Sequence, residues 1–107
     1  MGTLTQYSIS AVLFKREDQW VGQCLQYDVA AQATTIDDLE YELVRTLMAH
    51  VVLDLENSVE PLTTLPRAPE EYWKMFDKGR ELVAKTPPQF ELPWPILECH
   101  DFSLRLA

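Results

Sequence analysis

Cys24 and His100 have the side chains of a nucleophile and a general base, the pair that performs covalent catalysis in many hydrolases. A catalytic cysteine usually sits at a helix N-terminus or beside a cation, where its thiolate is stabilised. Cys24 instead lies between Gln23 and Leu25, within a run typical of a β-strand. We therefore expect a buried structural cysteine. A Cys24-dependent hydrolase is the alternative, and fast iodoacetamide labelling of the folded protein would favour it.

His50 and Asp54 lie four residues apart in a helical pattern, so both face the same way and could begin a metal site. Because no third ligand lies nearby in the sequence, we expect a surface or packing pair instead. Metal-dependent nucleases also need carboxylates on strands, and the first predicted strand, 7–14, contains none. With only three glycines, the chain has no glycine-rich phosphate loop. We therefore predict no metal, no cofactor and no enzymatic activity.

Length and composition predict one acidic domain. The chain has 107 residues, 47% of them hydrophobic, and a formal net charge of −8 without a basic patch. Direct binding of nucleic acid is therefore not expected. No apolar run approaches the ~18 residues of a membrane span, and the first ten residues do not resemble a signal peptide. We expect a cytoplasmic protein with no membrane contact, in which Cys24 and Cys99 are reduced; a disulfide between them is the alternative.

Three strands are predicted before the first helix. They cover 7–14, 20–25 and 29–35, and a five-residue hairpin connection at 15–19 joins the first two. Gly22, inside the second strand, indicates a bulge or a close backbone approach.

A long amphipathic helix is predicted over 36–56, with Thr35 as its N-cap and Asp38 three residues later. Its apolar positions form two adjacent stripes, an arc wider than one sheet face needs. The second stripe should therefore be covered by the later helix or by another subunit. The first stripe is Ile36, Leu39, Leu43 and Leu47, and the second is Val44, Met48, Val51, Val52 and Leu55.

The remaining chain predicts a second helix and a final strand. A proline-punctuated connection precedes a helix over 69–85, which Gly79 should weaken or end. An extended linker over 86–95 leads to a strand in which Phe102, Leu104 and Leu106 alternate with polar residues. The predicted fold class is α+β, a small antiparallel sheet (β-β-β-α-α-β) with both helices packed on one face. Residues 1–69 form its core, and 70–107 complete the same single domain.

The negative charge is concentrated in the first predicted helix. Residues 36–56 contain six carboxylates against a single arginine, Arg45, whereas residues 69–85 contain equal numbers of acidic and basic side chains. The aromatic side chains of the second helix form a further cluster, which is more typical of a core than of an exposed patch.

Four features of residues 7–69 occur together: a strand beginning at Tyr7, the strand WVGQC at 20–24, the segment QATTIDDLEYELVRTLMAHV at 32–51, and Pro66 and Pro69 in LPRAP. In these features the chain resembles the HicB-like antitoxin family, whose corresponding patterns are "gyva", "GdTleeAlenlkeal" and "iP-x-P". Gly usually precedes the capping Thr in that family, whereas Ala33 and Thr34 stand here, and the sequence LQYDV at 25–29 replaces its "pdlpg" turn. A second helix and a proline-rich tail replace its DNA-binding tail, so operator binding is not expected.

The resemblance implies a fold like a degraded ribonuclease H sheet, no catalysis and frequent homo-oligomers. Such domains neutralise a small basic toxin, a HicA-like mRNA interferase, by covering its active site. An acidic helix suits a basic partner electrostatically. The alternative is a stand-alone oligomeric domain with no toxin partner, which the missing DNA-binding tail favours. The predicted partner-contact residues are Asp37, Asp38, Glu40 and Glu42, followed by Tyr72, Trp73 and Phe76 for subunit or partner packing.

Overall fold

The structure is a computed structural model that describes residues 5–82 and 97–107. The predicted linker 86–95 lies outside the described residues. In chain order, the elements are the strands β1 (Thr5–Arg16), β2 (Gln19–Cys24) and β3 (Ala30–Ala33), the helices α1 (Ile36–Glu56) and α2 (Glu70–Lys78), and the strands β4 (Arg80–Leu82) and β5 (Leu97–Leu106).

The five described strands form one mixed sheet in the order β3-β2-β1-β5-β4. The predicted α+β class is confirmed, but the prediction of an antiparallel sheet was wrong, because β5 runs parallel to β1. Parallel neighbours need a crossover connection, and the chain segment that contains both helices separates these two strands. The short strand β4, which pairs antiparallel with β5, was not predicted.

Both faces of β1 are apolar, and this places the two helices on opposite sides of the sheet. Side chains alternate along a strand: Ala11 and Leu13 belong to the core that packs against α1, whereas Val12 and Phe14 belong to a second core that packs against α2. The prediction of both helices on one face was therefore wrong. We call the α1 side the first face and the α2 side the second face.

The connection between the helices carries the chain from the first face to the second. Leu62 and Leu65 pack in the first-face core, whereas Ala68 packs in the second-face core. Two hydrogen bonds fix the backbone of this connection: the Ala68 N–H donates to the Leu25 carbonyl at 2.9 Å, and the Asp28 N–H donates to the Pro66 carbonyl at 2.7 Å. Hence α2 does not cover the second apolar stripe of α1.

Helix α1 has the predicted bounds. The Thr35 hydroxyl accepts a hydrogen bond from the Asp38 N–H at 3.1 Å, as expected of an N-cap. Gly22 marks a close approach of this helix to the sheet, since a Cβ there would lie 3.2 Å from Leu13 Cδ2 and 3.3 Å from Leu39 Cδ1. The pairing of β2 with β1 passes through Gly22 without a bulge.

Several predicted boundaries differ from the structure: β1 is longer than the predicted 7–14, and β3 is shorter than the predicted 29–35. Helix α2 ends at Lys78 with Gly79 as its C-cap, so residues 80–82 are free to form β4 instead of further helix. The first hairpin is tighter than predicted, because the β1–β2 pairing extends to Arg16 and Gln19 and leaves a two-residue turn.

Candidate partner-binding surfaces

The exposed side of α1 carries the four predicted carboxylates, and we call it the acidic surface. Asp37 and Asp38 are exposed in the first turn, and Glu40 and Glu42 are half-buried one turn further on. The Glu42 carboxylate lies 3.4 Å from the Arg45 guanidinium. Such an exposed pair contributes little to stability, so the carboxylates remain available to a partner.

Tyr41 lies in the middle of the acidic surface, although the sequence analysis did not single it out. Its side chain is 69% exposed, the highest value among the large hydrophobic residues that the structure describes. Asp37 and Arg45 are four residues away on either side, so all three share one side of the helix. The signal was present in the sequence, since Tyr41 belongs to neither apolar stripe yet follows Asp37 at helical spacing. A tyrosine surrounded by charge is typical of an interface anchor.

Asp54, which also contributes to the negative charge of α1, has a structural role. Its carboxylate accepts a hydrogen bond from the Leu62 N–H at 2.8 Å, and its carbonyl accepts from the Val59 N–H at 2.8 Å. The carboxylate is therefore directed at the connection between the helices. Among the residues described, no group of three or more His, Cys, Asp or Glu side chains could hold a metal ion.

The predicted aromatic residues Tyr72, Trp73 and Phe76 lie on the second face, where they pack half-buried against the core of the same chain. The ring of Tyr72 stacks on Phe14 with a centroid separation of 6.1 Å. The indole N–H of Trp73 donates to the Ala68 carbonyl at 3.1 Å. These rings therefore hold α2 on the sheet, and each leaves only part of its surface to solvent.

Three arginines cover the aromatic rings of the second face. The guanidinium of Arg16 lies 5.4 Å from the centroid of Phe14, that of Arg67 lies 4.3 Å from Trp73, and that of Arg105 lies 4.4 Å from Phe76. All three distances suit cation–π attraction. We call this set the arginine–aromatic surface: Arg16, Arg67, Arg105, Phe14, Tyr72, Trp73 and Phe76.

Arg105 is the most enclosed of the three cations. Its Nη1 donates to the Phe76 carbonyl at 3.1 Å, at the end of α2, where the helix dipole favours a cation. Its Nε is buried without a hydrogen-bond partner in the structure. Arg16 and Arg67, by contrast, are exposed, and Arg67 has only a long contact of 3.9 Å with the Glu70 carboxylate.

The two surfaces differ in charge because α1 and α2 lie on opposite faces. Helix α1 contributes six carboxylates and one arginine to the first face. On the second face, the three arginines, Lys74 and Lys78 slightly outnumber the carboxylates of α2 and Glu81. The described part of the molecule is thus strongly acidic on one side of the sheet and close to neutral, with exposed guanidinium groups, on the other.

Cys24 lies in the first-face core with 0% exposure, packed with the leucines of α1 as the sequence analysis expected. His100 is in β5, and its side chain lies outside the described part of the structure.

Burial raises the pKa of Tyr27, which packs against the first-face core, above its ordinary value. None of the described helices is both long enough and apolar enough to cross a membrane.

Comparison of the chain with family models, with curated protein sequences and with solved structures found no match.

Proposed function

We propose that this protein is a non-enzymatic binding protein of the HicB-like antitoxin type, which uses the acidic surface of α1 to bind a small basic protein. In this proposal the partner is a HicA-like mRNA interferase, and binding covers the basic active site with which the toxin grips RNA. The protein acts in the cytoplasm, needs no cofactor and makes no direct contact with nucleic acid.

One observation carries the proposal. Exposed Asp37 and Asp38 and half-buried Glu40 and Glu42 lie close to Tyr41 on a helix whose other side is fixed to the sheet. Complementary charge accelerates the encounter with a basic partner, and a central aromatic side chain supplies the area that is buried on contact. The sequence resemblance over 7–69 supports a HicA-like toxin as the class of partner.

The proposal is tested by a matched pair of charge reversals. Asp37→Lys with Asp38→Lys removes both first-turn carboxylates of α1, and Glu70→Lys with Glu71→Lys removes both first-turn carboxylates of α2 on the opposite face. Each pair changes the net charge by the same four units and opposes a helix dipole in the same way. The tagged protein and both variants are used at low salt to capture partners from the native cells, and the captured proteins are identified by mass spectrometry.

The wild-type protein should capture a small basic protein in a stoichiometric amount, and raised salt should release it. The α1 variant should lose that protein, and the α2 variant should retain it. Equal loss in both variants would show that only total charge matters, and equal retention would exclude the acidic surface as the contact. Ribonuclease activity of the captured protein, suppressed by the wild-type chain, identifies it as a toxin.

A stand-alone oligomeric domain without a toxin is the second candidate. The observation that favours it is the pairing of β5 with β1 at the centre of the sheet, which makes the C-terminal strand part of the sheet rather than a separate DNA-binding tail. This candidate predicts capture of further copies of the chain and of no basic protein.

A further inference from the structure

The arginine–aromatic surface carries exposed cations that have no close ion-pair partner among the described residues. Arg16 stacks on Phe14, and among the described residues it forms no ion pair. Arg67 stacks on Trp73 and contacts Glu70 only at 3.9 Å. Because Phe14 and Tyr72 are stacked, and Tyr72 and Trp73 pack against the same core, the two guanidinium groups lie over aromatic rings of one face of the sheet. The surface therefore suits a ligand that presents carboxylates beside an apolar group.

The acidic surface of the same chain has that composition. It presents Asp37 and Asp38 next to the 69% exposed ring of Tyr41. It lies on the first face and cannot reach the arginines of its own chain, because the sheet separates α1 from α2. It can, however, reach the arginines of a second copy of the chain.

We propose that two copies of this protein dock head to tail, the acidic surface of one on the arginine–aromatic surface of the other. The carboxylates of Asp37 and Asp38 pair with the guanidinium groups of Arg16 and Arg67, because a guanidinium group can donate two parallel hydrogen bonds to one carboxylate. The ring of Tyr41 packs between them on the exposed edges of the aromatic cluster. This contact is independent of the proposed toxin binding, although a basic partner on the acidic surface would compete with it.

Such a contact joins two different surfaces, so it is heterologous rather than two-fold symmetric. A docked pair leaves one acidic surface free at one end and one arginine–aromatic surface free at the other. Association should therefore continue beyond the dimer as the concentration rises. It should also weaken with salt, because both surfaces are exposed and their charges are screened.

The test uses two variants that each disable one surface. The first, Arg16→Glu with Arg67→Glu, retains the acidic surface, and the second, Asp37→Lys with Asp38→Lys, retains the arginine–aromatic surface. All four positions are exposed, so both variants should fold, which circular dichroism and tryptophan fluorescence verify. Sedimentation velocity is recorded for the wild type, for each variant alone and for their equimolar mixture, at low and high salt.

The wild type should show species beyond the dimer at low salt, with its association weakened at least about tenfold at high salt. Each variant alone should be monomeric. Their mixture should associate, because the acidic surface of the first variant and the arginine–aromatic surface of the second form one intact pair. A wild type that stays monomeric at millimolar concentration would overturn the proposal, as would a variant that still forms dimers or a mixture that does not. Arg16→Lys with Arg67→Lys keeps the charge and should associate more weakly than the wild type.

Discussion

The hydrogen bond from the Leu62 N–H to the Asp54 carboxylate fixes the start of the connection that brings the chain to the second face. Leu62 has φ 67°, in the left-handed region that non-glycine residues rarely adopt, while its side chain is only 3% exposed in the core. Burial of the side chain and the bond at 2.8 Å together hold this strained backbone. Asp54→Ala removes the bond and leaves the N–H without its acceptor.

The expected loss follows from opposing terms. A hydrogen bond to a charged group contributes about 1.5–3 kcal/mol. Removal of a carboxylate from the last turn of a helix recovers about 0.3–1 kcal/mol, because the helix dipole is unfavourable to negative charge there. We therefore expect Asp54→Ala to lower the free energy of unfolding by about 1–2 kcal/mol. For a domain of this size, each kcal/mol lowers Tm by about 4–8 °C.

Urea unfolding followed by tryptophan fluorescence measures this loss. Glu56→Ala is the matched control, because it removes an exposed carboxylate from the same last turn and should be neutral or slightly stabilising. Asp54→Asn keeps an oxygen acceptor without the charge and should fall between the wild type and Asp54→Ala. If Asp54→Ala and Glu56→Ala gave the same free energy of unfolding, the carboxylate would not stabilise the connection and our reasoning would be refuted.

Two further predictions concern packing and pH. Gly79→Ala should destabilise the protein by about 1–3 kcal/mol, because its Cβ would lie 3.0 Å from the backbone oxygen of Leu106. Gly22→Ala should destabilise it less, since the side chain of Leu39 can shift. Thermal unfolding of both variants checks the difference, and a larger loss of stability for Gly22→Ala would contradict it. Burial raises the pKa of Tyr27 in the folded protein. The stability that its neutral phenol contributes is therefore fully present below the pKa of the unfolded chain, about 10, and is lost as the pH rises through the pKa of the folded protein. The free energy of unfolding should therefore fall more steeply with alkaline pH in the wild type than in Tyr27→Phe, and parallel curves from urea titrations would rule this out.

Local sequence signals predicted the α1 helix well. Thr35 caps it, and its apolar repeat ends at Leu55, one residue before the last helical residue, so the predicted and observed bounds are the same. Gly79 was also identified as a point at which the second helix could end. These features depend on residues within a few positions of one another, which a single sequence contains.

The candidate surfaces were predicted only in part. The carboxylates of α1 follow directly from residue order, because positions on the polar side of an amphipathic helix face solvent. Tyr41 lies outside both apolar stripes of the same helix, but its 69% exposure depends on what covers each side of the helix, and it was not among the predicted contact residues. The stacking of Phe14 on Tyr72 and the position of Arg105 over Phe76 required contacts between residues about sixty and thirty positions apart.

The sequence by itself determined the acidic composition, the strand–strand–strand–helix order, the capped α1 helix and the burial of Cys24 in an apolar strand. Only the tertiary structure decided that β5 joins β1 in parallel and that α2 packs behind the sheet. The reason is that β1 is apolar on both faces, and the pairing of distant segments decides which helix covers each face. That choice separates the carboxylates of α1 from the arginines of the second face by the thickness of the sheet, and thereby gives one chain two surfaces of different charge.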